Sequence, residues 1–123
     1  MSDEVNLQRP FQIWLYSVTH SQLLLRSNRS NEQTTRVDIL FKDIAAMELP
    51  TVFDGLSAAT ASEAETFGLD IQLGSKPIQD RNVFVVRGSN FVGYVVAGAV
   101  FWHEDEGQYY DGYFQKSFMS SRV

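Results

Sequence analysis

Phe91–Trp102, FVGYVVAGAVFW, contains no charge in a chain whose residues are otherwise 20% charged. Read at a period of two, it puts Val92, Tyr94, Val96, Val100 and Trp102 on one face and Phe91, Gly93, Val95, Ala97, Ala99 and Phe101 on the other. Both faces are apolar, as in a strand covered on both sides inside a sandwich or barrel rather than one facing water. Fully extended, the stretch would run roughly 40 Å at about 3.3 Å per residue, longer than strands usually reach. A bend is therefore expected, with Gly93 and Gly98 as its sites, because glycine inside a strand marks a bulge or a close backbone approach. The run falls well short of the ~20 residues of a membrane-spanning helix and is rich in β-branched residues, so no membrane association is expected.

Working outward, Val83–Arg87 pairs with this strand across Gly88-Ser89-Asn90, and the two form a hairpin. Nearer the N-terminus, Phe11–Val18 alternates as a strand, with Leu23–Arg26 as its hairpin partner beyond a polar turn. Ser27–Gln33 is a polar loop. In Thr35–Phe41, Val37, Ile39 and Phe41 alternate with Arg36, Asp38 and Leu40, which predicts a half-exposed strand. Asp43 caps a short helix through Glu48, with Ile44 and Met47 inward. Asp54-Gly55 marks a turn, and Thr60-Ala61-Ser62-Glu63 has the spacing of a capping box. The second helix this starts would end at Gly68, with Ala64 and Phe67 facing the core. Leu69, Ile71 and Leu73 alternate as a further strand. His103–Gly107 is a charged turn leading to a strand over Tyr109–Phe114 that returns along the central one. The sum is a mainly β domain spanning 1–123. We expect an antiparallel sandwich or partly open barrel of six or seven strands with one or two short helices, and an α+β layout as the alternative.

The absence of cysteine removes disulfides, thiol catalysis and Cys-based zinc sites, and fits a reducing compartment. MSDEVNLQRP carries acids and no apolar core, so no signal peptide is expected and the protein is placed in the cytoplasm. The net charge of −5 is unevenly spread. Residues 1–42 hold five Lys/Arg against four Asp/Glu, residues 81–123 four against four, and residues 43–80 one against seven. Such acidity repels phosphate backbones, which argues against nucleic acid, and it favours a basic protein partner. As a plainer reading, the acids only keep the chain dissolved.

Motifs for chemistry are weak. Gly88–Gly93 lacks the Lys-Ser/Thr of a phosphate-binding loop, and His103-Glu104-Asp105-Glu106 has no second histidine four residues on. A metal set of His20, His103 and Glu104 or Asp38 is not demanded by any spacing, and neither a cofactor nor a metal is expected. Asp38, Asp43, Glu104 and Asp111 supply carboxylates for acid–base work, but fifteen acids always permit such a choice. The leading functional expectation is a non-enzymatic interaction module, such as an inhibitor or immunity-type protein for a basic partner. It would bind through the acidic 43–80 region and the aromatic strand Tyr109, Tyr110, Asp111, Tyr113 and Phe114, to a protein partner or as a homodimer. The competing expectation is a ligand-binding or hydrolytic pocket lined by Trp14, Tyr94, Trp102 and His103, four residues that equally suit ordinary core packing and a solvated turn.

Overall fold

The computed structural model describes residues 5–74, 76–108 and 121–122. Its strands are β1 (Val5–Ser17), β2 (Gln22–Ser27), β3 (Arg36–Glu48), β4 (Val52–Thr60), β5 (Asn82–Arg87), β6 (Val92–Asp105) and β7 (Ser121–Arg122), with one helix, α1 (Glu63–Leu73), between β4 and β5. Two antiparallel meanders, β1-β2-β3 and β4-β5-β6, are joined along β1–β4 and β3–β6 into a closed six-stranded barrel. β7 adds two residues beside Phe101 and Trp102. The barrel is closed rather than partly open. β6, which contains the Phe91–Trp102 stretch but for Phe91, holds it shut by pairing with both β3 and β5.

The interior is filled by side chains, as a barrel this narrow requires. Phe11, Leu23, Leu25, Val37, Ile39, Phe41, Phe53, Leu56, Phe84, Val86, Val95, Ala97 and Val100 form one core. Ring contacts of Phe11 with Phe53, Phe41 with Phe84, and Phe53 with Phe91 lie 4.9 to 6.2 Å between centroids, in the range where aromatic pairs attract.

Both glycines of the central strand sit where another backbone or side chain comes too close for a Cβ. One added at Gly93 would lie 2.1 Å from the Glu48 carbonyl oxygen, and one at Gly98 2.8 Å from an Asp43 carboxylate oxygen. The bend expected there changes the faces of β6. Val95 and Ala97 belong to the core and so do Val100 and Trp102, while Phe101 packs outside with Leu24 and Leu40. The simple alternation therefore slips between Ala97 and Val100. Val96 and Val100 are both buried, but on opposite sides of the wall.

Several local expectations are corrected by pairing. Asp43 does not cap a helix, because its φ of 59° is left-handed whereas a capping residue is extended. β3 runs on through Ile44, Ala46, Met47 and Glu48, paired with Ala97, Val96, Val95 and Tyr94. Arg81 clasps the kink by donating to the Asp43 carbonyl at 3.2 Å and to its carboxylate at 3.1 Å. The first half of β3 is not half-exposed, since Arg36 through Phe41 are all buried. Asp54-Gly55 lies within β4, a strand the sequence pattern conceals, with Gly55 at φ 77°. His103 belongs to β6 and is buried instead of standing in a solvated turn. The Tyr109–Phe114 strand falls outside the described residues.

Candidate interaction surface

Ser62 caps α1 in extended geometry. Its hydroxyl accepts from the Glu65 amide at 3.1 Å while the Glu65 carboxylate accepts from the Ser62 amide at 2.8 Å. The second Glu65 oxygen accepts from Arg87 on β5 at 3.0 Å, and the Ala61 amide just ahead of the helix donates to the Val83 carbonyl at 2.8 Å. The Ser62 amide first, with further help from Arg87, holds the Glu65 carboxyl below its usual range against the opposing effect of burial. These contacts matter because an 11-residue helix is marginal by itself in water.

With the start fixed at Ser62, helical hydrogen bonding passes through Gly68 and ends at Gly74. Leu69 and Leu73, which read as alternate positions of a strand, are instead four apart on a helix and half-buried, while Ile71 points the other way. Ala64 and Phe67, expected to face the core, face outward. No α1 residue is buried. Ala64, Phe67, Gly68 and Ile71 share one exposed stripe at i, i+3, i+4 and i+7, with Phe67 66% and Ile71 72% exposed. At about 100° per residue, Glu63 and Asp70 flank one edge of this stripe and Glu65 and Gln72 the other. The helix carries no Lys or Arg. A Cβ at Gly68 would meet nothing within 4 Å. The fold therefore has no steric need for this glycine, although glycine in a helix interior costs about 1 kcal/mol relative to alanine.

A second feature lies on the outer face of β2, β3 and β6. Arg26, Asp38 and His103 stand in one row across the three strands. Arg26 grips the Asp38 carboxylate with two hydrogen bonds at 2.7 and 3.1 Å. Arg36 grips Asp105 at 3.2 and 3.1 Å, reaches the Gln108 carbonyl at 2.9 Å and lies 3.9 Å from Asp38. His103 Nε2 is 3.3 Å from Asp105. Burial alone would raise the Asp105 carboxyl, but hydrogen bonds from Arg36 and the Gly107 amide, with the charges of Arg36 and His103, bring it below its usual value. Nearby, Arg9 donates to Ser27 and Thr35, its proton affinity lowered by burial. The cluster is internally matched, with acids and arginines saturating one another, so it fits a structural clamp better than a reactive centre.

The four residues of the expected pocket are not brought together. Trp14 sits at a bulge of β1, half exposed, with its ring 5.0 Å from the Arg26 guanidinium. Trp102 packs against the interior core. His103 is in the outer ionic row, and Tyr94 lies far along β6 opposite Glu48, its hydroxyl proton held more tightly through burial and, secondarily, the Glu48 charge. The clefts of about 250 to 310 Å³ at Gly55, Pro10, Phe53 and Leu49 are lined by none of the four. His20 is in the exposed turn beside Ser17. Among the described residues no three His, Asp or Glu side chains are grouped to hold a metal ion. No helix of the described residues is long and apolar enough to cross a membrane. The expected binding residues Tyr109, Tyr110, Asp111, Tyr113 and Phe114 lie outside the described residues.

Compared with protein-family models, with curated proteins and with solved structures, the chain matches none.

Proposed function

We propose that the protein is an interaction module that docks another protein through the outward face of α1. The observation that carries this reading is a capped helix whose apolar stripe, Ala64-Phe67-Gly68-Ile71, is turned away from the barrel. Single exposed apolar residues are ordinary on a protein surface, whereas a contiguous stripe at helical spacing is how helices enter the grooves of partners. The stripe lies in the acidic 43–80 region, where Asp43, Glu48, Asp54, Glu63 and Asp80 are exposed. The filled barrel interior leaves the described strands to act as scaffold.

The test compares the wild-type chain with Phe67→Ser/Ile71→Ser as affinity baits in extract of the native source, followed by reconstitution with the purified captured protein. Both side chains are exposed, so the double variant should unfold at the same denaturant midpoint. The reading requires a stoichiometric partner whose purified form binds wild type and is lost from the variant. A partner that binds both baits equally would refute it.

A further inference from the structure

We infer that the partner of α1 presents an apolar groove with lysine or arginine along one rim, the rim that meets Glu63 and Asp70. This rests on the reading of α1 as a docking helix and adds the chemistry of what it docks to.

The two edges of the exposed stripe are unlike. Glu65, on one edge, is already engaged by the Ser62 amide and the Arg87 guanidinium. On the other edge, Glu63 and Asp70 form no ion pair among the described residues. A groove closing over Phe67 and Ile71 brings its own rim against those two carboxylates and strips water from them. An apolar or acidic rim would leave them desolvated without a counter-charge, which is unfavourable; a basic rim supplies one. The same geometry disfavours a second copy of this chain as the occupant. Two α1 helices packed stripe to stripe would bring Glu63, Glu65 and Asp70 of each against acids of the other, with no Lys or Arg on either helix. Gly68 completes the fit, because the open space where its Cβ would stand lets a groove floor approach the helix backbone between Phe67 and Ile71.

The probe is a pair of designed helical hairpins, each with the same leucine-lined groove, one rimmed by lysine and the other by glutamate. Each is titrated into the full-length, isotopically labelled protein, and amide shifts and affinity are followed by NMR. The lysine-rimmed hairpin should bind with its shifts concentrated on residues 62–73. Phe67→Ser/Ile71→Ser should weaken it at least about ten-fold, the scale of losing a buried large apolar side chain. Glu63→Gln/Asp70→Asn should weaken it several-fold and flatten its dependence on salt. The glutamate-rimmed hairpin should not bind.

Equal binding of both hairpins to α1 would overturn the inference about charge while leaving α1 as a docking face. Failure of the lysine-rimmed hairpin to bind would overturn the inference. Shifts centred away from α1, or binding indifferent to Phe67→Ser/Ile71→Ser, would overturn both readings. Concentration-dependent dimerisation abolished by Phe67→Ser/Ile71→Ser would show that a second copy fills the groove's role, and would also overturn the inference.

Discussion

Replacing Asp38 with asparagine keeps the shape of the side chain and removes its charge, so it isolates what the buried ionic row contributes. Asp38 is 1% exposed and accepts two hydrogen bonds from Arg26, itself 1% exposed, with Arg36 at 0% exposure 3.9 Å away. Arg36 keeps Asp105, so the loss falls mainly on the balance around Arg26. Breaking a buried pair by deleting one partner typically costs about 3–5 kcal/mol, and the Trp14 ring over Arg26, in place with or without the Asp38 charge, offsets none of that loss. Asp38→Asn should therefore lose roughly 3–5 kcal/mol in urea unfolding followed by tryptophan fluorescence. Arg26→Met with Asp38→Leu should lose much less than Asp38→Asn, because Leu24, Leu40 and Phe101 already form an apolar cluster on the same outer face. A loss below about 1 kcal/mol for Asp38→Asn, the size of a surface pair, or a double variant as unstable as the single one, would refute the reasoning.

Val96→Ala, at a site with no exposure, should cost about 1–3 kcal/mol in the same assay. Gly93→Ala should prevent stable folding, since its Cβ would meet backbone at 2.1 Å, whereas Gly68→Ala meets nothing and should stabilise the helix by up to about 1 kcal/mol, read as a raised urea midpoint. Asp105 titrates below its ordinary 3.8 in the folded chain, so its contribution to stability is present above that value and is lost as pH falls through the lowered one. Urea midpoints taken from about pH 5 down to about pH 2 should accordingly fall less in Asp105→Asn than in wild type.

Much of the barrel was legible because its signal is local and strong. A stretch apolar on both faces demanded cover on both sides, and the Val83–Arg87 hairpin followed from a short polar connection between two such runs. What was hidden depended on distant partners. Residues 43–48 have helical spacing, yet seven residues of β6 from Ala99 through Asp105 and four more from Tyr94 through Ala97 pair with β3, and the left-handed Asp43 lets the strand kink instead of coil. β4 is interrupted by Asp54-Gly55, a turn signal that pairing with β1 overrides. At α1 a capping box was legible but read two residues early, at Thr60 and Glu63 instead of Ser62 and Glu65, because Thr60 still belongs to β4, and Gly68 looked like a stop. Without knowing that the described residues leave the outer face of the helix uncovered, Phe67 reads as core. That error hid the stripe, while the acidic bias of the region around it was visible from the charges alone. The burial of His103 and Asp38 was hidden for a related reason, since charged residues on a strand read as a wet face until Arg26 is seen to pair with Asp38 and Asp105 to stand between Arg36 and His103.

The most direct test of α1 as the docking face is site-specific photo-crosslinking in extract of the native source, with the photoreactive residue placed in turn at Phe67, at Ile71 and at Glu32, an exposed loop position remote in sequence from the helix. One discrete adduct of the same mass is expected from positions 67 and 71 and none from position 32. Adducts from position 32 alone, or none from positions 67 and 71 while the intact protein still captures a partner, would contradict it.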